Sequence, residues 1–282
     1  MSSAERRRSR RIASASVLAV VGLLVGYGTA VEPYWLEVSR HDVEAPVRTP
    51  LVVAHLSDLH THGFGPREKQ VVEILQRERP DLVVVTGDLV DDGDLTPVRE
   101  LFANLHAPLG IWVVRGNWEN WRPPPSDRDQ LASFGATLLV NEGRLVRPDV
   151  WLLGLDDAIS GSADVAAAVR DAPSDAARIA IFHSPDVFEN VAAQIDLALA
   201  GHTHGGQVRI PLFGAVWTPP GSGSYVAGWY AATSTSPALA SPPSAPRGSA
   251  RMFVSRGIGT SVLPVRFACR PEVAIVNVRP PH

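Results

Sequence analysis

From residue 51 to residue 200 the chain alternates short β-branched apolar runs with segments of helical spacing, and this restricts the fold more than any other feature. The runs are LVVAHL (51–56), LVVV (82–85), IWVV (111–114), WLLGL (151–155), IAIF (179–182) and LALA (197–200). Apart from His55 in the first, each run carries no polar side chain, as suits strands covered on both faces. Helices are expected near Pro66–Arg79, where Val71, Ile74, Leu75 and Glu78 follow the helical period. Weaker helical patterns lie near Pro97–Asn104, Asp127–Phe134, Ala163–Arg170 and Val187–Ala193, and later strands near Gln207–Ile210, Met252–Val254 and Val273–Val278. Strands alternating with helices make an α/β architecture with largely parallel, buried strands.

The residues at the carboxyl ends of these runs carry the chemistry. LVVAHLS leads to Asp58-Leu59-His60, LVVVTG to Asp88, IWVVRG to Asn117, IAIF to His183, and LALAG to His202-Thr203-His204. Ligand sites of open α/β sheets form outside the carboxyl ends of strands. Taken singly, an Asp or Asn there is a turn former or a helix cap, and a lone His is a core residue. Five successive strand ends with such residues read instead as a metal-binding set of oxygen and imidazole donors. That set suits manganese, iron or zinc, and seven donors exceed the needs of one ion. Two ions sharing a carboxylate would use all seven.

In this order the motifs DLH (58–60), GD (87–88), GNWE (116–119), His183 and GHTH (201–204) resemble those of the calcineurin-like metallophosphoesterases. The resemblance implies two packed mixed sheets flanked by helices, an αββα sandwich, over a domain of residues 51–282. It also implies two divalent ions (Mn, Fe or Zn). One would be held by Asp58, His60, Asp88 and His204, the other by Asp88, Asn117, His183 and His202, with Asp88 bridging. In that family two ions roughly 3.5–4 Å apart turn a bridging water into hydroxide, which attacks phosphorus in line. GHTHGGQVRIP (201–211), SRGIGTS (255–261) and RPEVAIV (270–276) resemble a bacterial branch of membrane-anchored or twin-arginine-exported phosphodiesterases. Relatives in that branch act on UDP-diacylglucosamine. The implied substrate is a phosphorylated small molecule or lipid, cleaved at a phosphodiester or pyrophosphate bond.

One position departs from the pattern: Trp118 stands where the family has a histidine. An indole N–H donates a hydrogen bond but transfers no proton at neutral pH, and general-acid help is commonly worth about 10²–10⁴-fold. A substrate with a good leaving group is therefore expected, with Glu119 or His62 as candidate proton donors. The alternative is a catalytically weakened metal-binding or regulatory module. Trp217, Tyr225, Trp229 and Tyr230 are read as partly core, with a share in a lipid or sugar pocket as the alternative. Arg256, Arg266 and Arg270 are read as ordinary ion pairs before phosphate contacts, and Cys269 as a small core residue.

The N-terminus points to a membrane. Arg6, Arg7, Arg8, Arg10 and Arg11 against Glu5 leave residues 1–30 at +4, so the remainder of a chain of net charge −3 sums to −7. A body that acidic matches a nucleic-acid backbone poorly, and no nucleic-acid partner is expected. An uncharged run from Ile12 to Val31 is about one hydrocarbon core long as a helix. Residues 1–31 are read as a retained anchor with its basic flank cytoplasmic, placing the body outside the membrane. A secretory signal cleaved after Ala30, a twin-arginine-like signal and a mitochondrial-type presequence are the alternatives. Residues 32–50, with Pro33, Pro46 and Pro50, read as a linker, and 233–248 as a flexible insertion. With Cys269 alone, no internal disulfide can form.

Overall fold

The computed structural model describes residues 3–232 and 250–281; the insertion expected at 233–248 lies outside them. Six strands form the first sheet: β1 (Glu37–Glu44), β2 (Leu51–Leu56), β3 (Leu82–Thr86), β4 (Ile111–Val114), β5 (Ala136–Leu138) and β14 (Glu272–Arg279). Their order is β1-β14-β2-β3-β4-β5, parallel except where β14 meets β2. The second sheet holds β6 (Glu142–Arg147), β7 (Val150–Gly154), β8 (Ala177–Ile181), β9 (Leu197–Ala200), β12 (Gly228–Ala231) and β13 (Arg251–Val254). Its order is β12-β13-β9-β8-β7-β6, with antiparallel pairs only at the two edges. A two-stranded ribbon, β10 (Arg209–Ile210) and β11 (Gly214–Ala215), stands apart.

The period-2 direction of strand side chains divides the core into three layers. Leu51, Val53, Leu82 and Val84 meet Ile179, Leu199 and Val276 between the sheets. Their neighbours Ala54, Leu56, Val83 and Val85 face outward, onto Val71 and Leu75 of α2 (Pro66–Glu78), Leu101 and Phe102 of α3 (Arg99–Ala103) and Leu131 of α5 (Asp127–Ser133). On the other side, Leu153, Ala180 and Ala198 pack on Ala168 of α6 (Val165–Val169) and Phe188 of α7 (Phe188–Val191). Helix, sheet, sheet, helix is the layering the resemblance implied. Another short helix, α4 (Asn117–Trp121), begins where the residues after β4 suggest only a proline-rich turn.

The linker reading of residues 32–50 is corrected. Glu37–Glu44 pairs in parallel along the whole of β14 as an edge strand. Its sequence EVSRHDVE hides it, because charged residues guard an exposed edge and leave little apolar signal. Helix α1 (Ser3–Ala30) precedes it, and residues 12–34 are long and apolar enough to cross a membrane, with only 6% of the apolar window buried. The end of α1 is held to the body. Arg266 N–H donates to the Gly28 carbonyl at 2.8 Å, and Tyr27 meets Phe267 edge-on at 6.2 Å. The buried Glu32 carboxylate accepts the Ala268 and Cys269 N–H groups.

Candidate metal centre

The parallel strands β2, β3 and β4 of one sheet and β8 and β9 of the other release their chains at the same edge, and all seven expected donors meet there. Asp58, His60 and His204 form one buried triad with ligand atoms within 4.8 Å of one another, and Asp88, His183 and His202 form a second. Asp88 lies between them: its Oδ2 is 3.6 Å from His60 Nε2 and 3.2 Å from His183 Nε2. Asn117 joins the second triad, with Oδ1 3.0 Å from His183 Nε2. His204 Nε2 is 3.4 Å from Asp58 Oδ1, and its ring stacks on His60 at 5.1 Å between centroids.

The backbone is bent to bring them there. Asp58, His60, Asp88, His202 and His204 all have left-handed φ, between 40° and 72°. For L-residues this conformation costs about 1 kcal/mol or more each, and such strain persists only where the surroundings over-determine it. The β2 and β3 loops hold each other: Asp58 N–H donates to the Gly87 carbonyl and His60 N–H to the Asp88 carbonyl. Gly257, itself at φ +68°, leaves room behind Asp58, since a Cβ there would lie 2.8 Å from the Asp58 Cβ. A Cβ on Gly116 would fall 2.1 Å from Asp88 Oδ1.

Glu119 is the clamp of this edge. It is buried, and its two oxygens accept the N–H groups of Asp88 (2.9 Å), Gly116 (2.8 Å), Leu89 (2.8 Å) and Val90 (3.4 Å). Burial and the Asp88 carboxylate push its pKa up to about 7, while the Gly116 and Leu89 N–H groups pull the other way. Both oxygens face backbone donors, which makes Glu119 a positioning residue rather than the proton donor considered from the sequence. His62 is largely exposed, 3.5 Å from Asp91.

The electrostatics match a cation site. Burial disfavours charge on His183, but Asp88, Asp58 and Asp157 outweigh it and hold the imidazole well above its ordinary range. Burial, then the neighbouring His60 and Arg266, drive His204 well below it. Asp88 is held below the usual carboxylate range: burial opposes this, and His183 and His60 prevail. Buried His60 Nε2 and His204 Nδ1 have no hydrogen-bond partner among the described residues. An orphaned buried polar atom costs about 1–3 kcal/mol, and a divalent cation would satisfy His60 Nε2, the nitrogen that faces Asp88. Three outward ring nitrogens are already engaged: Asp91 takes His60 Nδ1, the Thr86 carbonyl His183 Nδ1 and the Pro220 carbonyl His202 Nε2. These contacts fix which nitrogen faces the centre, as partners of metal-bound histidines do. The donor set fits divalent metals. Asp91, which no spacing in the sequence distinguished, belongs to the site through His60.

A cavity of about 400 Å³ opens on the centre, lined by Asp88, Asn117, His202 and His204 and walled by Trp118 and Trp217. Among the described residues no Arg or Lys lines it. Arg256 pairs with Glu272 and Glu37, Arg270 stacks on Trp35 at 4.2 Å, and fully buried Arg266 donates to the carbonyls of Gly259, Cys269 and Arg256. Of the four aromatics, Trp217 lines the cavity; Tyr225 packs with Phe188 and Tyr230, and Trp229 with Phe253.

Two buried donor triads at the carboxyl ends of parallel strands in an αββα sandwich define a metal-dependent hydrolase. The model of the calcineurin-like phosphoesterase family matches residues 51–206, and the chain belongs to that family. It is a metallophosphoesterase. It is 27% identical over 270 residues to "Uncharacterized metallophosphoesterase YkuE" of Bacillus subtilis (strain 168), covering 90% of this chain and 89% of that one. With "Phosphodiesterase YaeI" of Escherichia coli (strain K12) it shares 28% over 290 residues, 97% of this chain and 98% of the relative. A "Transmembrane protein with metallophosphoesterase domain" of Danio rerio is 25% identical over 94% of this chain and 61% of its own length.

Proposed function

We propose that the protein is a membrane-anchored phosphodiesterase with a dinuclear centre. Asp58, His60 and His204 would hold one cation and Asn117, His183 and His202 the other, with Asp88 available to both. The observation that carries this reading is the position of Asp88 Oδ2, within 3.6 Å of a histidine from each triad. When bound, such a pair of Mn, Fe or Zn ions supplies Lewis acidity and a water-derived nucleophile at neutral pH. The chain's own part is to orient. Asp91, the Thr86 carbonyl and the Pro220 carbonyl fix the three imidazoles, and Trp118 N–H holds Asp88 Oδ1 at 3.0 Å.

The Trp118 side chain walls the cavity but offers no transferable proton, so the enzyme acts on esters whose leaving group departs with little protonation, such as a nucleotide or an activated diester. An apolar cavity without basic side chains supports a substrate that carries lipid, of which a UDP-diacylglucosamine-like molecule is one example. The exposed apolar helix α1 supports a membrane anchor, with the arginine flank cytoplasmic and the catalytic body outside.

The test uses the full chain in mild detergent, with metal content and hydrolysis of bis-p-nitrophenyl phosphate measured in Mn²⁺ and after chelation. About two equivalents of metal and chelator-sensitive turnover are expected, with Asp88→Asn lowering turnover on the order of 10³-fold. Metal without turnover would instead make the protein the weakened binding module, and an Asp88→Asn variant retaining both metals and turnover would remove the shared-carboxylate reading.

A further inference from the structure

At the cavity mouth and on the neighbouring ribbon stand apolar side chains that none of the described residues covers. At the tip of the β10–β11 ribbon, Leu212 and Phe213 are exposed, Phe213 at 87%; in the facing loop Val262 is 85% exposed and Leu263 also open to solvent. Trp217, Val262 and Leu263 also line the cavity, so the exposed patch and the site share a wall. Large exposed apolar patches mark interaction surfaces. Leu212 and Val262 both carry left-handed φ, 73° and 64°, a costly backbone for a β-branched residue such as Val262. The base of the ribbon is tied to this loop: Gln207 Nε2 donates to the Ser261 and Leu263 carbonyls, and its Oε1 accepts Ser261 N–H.

Continuity with α1 identifies the occupant. Phe267 N–H donates to the Gln207 carbonyl and Arg209 N–H to that of Phe267, while the adjacent Arg266 N–H holds Gly28 in the last turn of α1. The patch is therefore joined to the end of the apolar helix without a free linker between them. Exposed Tyr34 and Trp35 come just after that helix, as aromatics do at a membrane–water boundary. Residues 207–217 and 258–265 hold a single charge, Arg209.

We infer that the Leu212–Phe213 tip and the Val262–Leu263 loop insert into the lipid surface beside α1, so that the cavity opens onto the bilayer and takes its phosphoester from there. This rests on the reading of α1 as a membrane span and deepens the proposed function: the substrate is an amphiphile whose phosphate lies at headgroup depth while its chains stay in the membrane.

The sole cysteine, Cys269, is buried, so an introduced thiol can be labelled selectively. Leu212→Cys, Phe213→Cys and, as control, Glu100→Cys on α3 are labelled with an environment-sensitive fluorophore. The full chain is then reconstituted into phosphatidylcholine–phosphatidylglycerol vesicles. Blue-shifted emission and quenching by shallow doxyl-phosphatidylcholine are expected at both tips and not at Glu100. In parallel, the double variant Leu212→Ser/Phe213→Ser should keep wild-type hydrolysis of soluble bis-p-nitrophenyl phosphate. On p-nitrophenyl phosphatidate embedded in the vesicles it should lose about tenfold or more, as expected when two apolar side chains no longer enter lipid. Tip quenching no greater than at Glu100, energy transfer between tips of two copies without lipid quenching, or equal loss on both esters overturns the inference. Absence of turnover on the soluble ester by the wild type would count against the proposed function and leave the quenching result standing.

Discussion

The parallel strands end in two cavities, of which one meets the donor triads and the other does not. At their amino ends a cavity of about 730 Å³ lies among Val72, Phe102, Phe134 and Ile111, and among the described residues His106 is the one His, Cys, Asp or Glu in its lining. At their carboxyl ends the smaller cavity, about 400 Å³, meets both donor triads. The larger cavity is a cleft at the ends of α2 and α3, with Gln76, Arg79 and Asn104 among its apolar side chains; the smaller one is where chains leaving both sheets turn sharply and deliver side chains to a common point. Size does not locate chemistry here, and direction of chain exit does. Strain is heavier at the donor end, where five of the seven donors sit at left-handed φ, against Arg79 in the lining of the other cavity. Local strain and orphaned polar atoms are tolerated where a ligand is to supply the missing interactions.

This contrast can be broken most forcefully at the amino end. Phe102 is 1% exposed, so Phe102→Ala should destabilise the fold by ~3–5 kcal/mol in denaturant titration while metal stoichiometry stays at the wild-type value. Loss of metal in that variant would show that the two ends are not separable. Chelation works from the other end: if the cations relieve the buried donors, their removal should cost about 3–4 kcal/mol at metal concentrations of 100–1,000 times Kd. An unchanged thermal midpoint after chelation would mean that the strained edge does not rely on metal. Glu119→Gln replaces an acceptor of four N–H groups by an amide with one acceptor oxygen. A loss of ~1–3 kcal/mol together with weaker metal binding is expected, because the clamp and the centre are one structure. Stability falling with metal affinity intact would demote Glu119 to a purely structural role.

The smallest effect concerns His55, in the inter-sheet region beneath the site. It is fully buried, bonded to Thr86 Oγ1 at 2.8 Å, and burial lowers its pKa to about 3. The unfolded chain binds this proton near pH 6.5 and the folded chain does not until about pH 3. Stability from neutral His55 is therefore complete above pH 6.5 and declines as pH falls, by up to ~1.4 kcal/mol per pH unit. At matched metal loading His55→Gln should flatten the acid limb relative to wild type. Identical limbs would place the acid sensitivity among the metal-site histidines instead.

The strand runs from Leu51 to Ala200 and the donors after them were legible because both are local: an apolar run names a buried strand, and a residue type names a ligand chemistry. The edge strand Glu37–Glu44 was not, since its solvated face erases the apolar pattern. Helix α4 was hidden for another reason: Gly116 and Glu119 supply its start, and Glu119 acquires its role only once Asp88 and Leu89 arrive from another strand.

The inventory came from the sequence alone: which donors exist, in what order, after which strands. Tertiary structure decided the rest. It placed Asp88 between the two triads, turned Glu119 from a candidate acid into a clamp, buried Arg266 away from the cavity and joined the end of α1 to the rim of the site. Each of these depends on backbone groups remote in sequence approaching within hydrogen-bond distance, and on left-handed turns that the side-chain sequence does not encode locally.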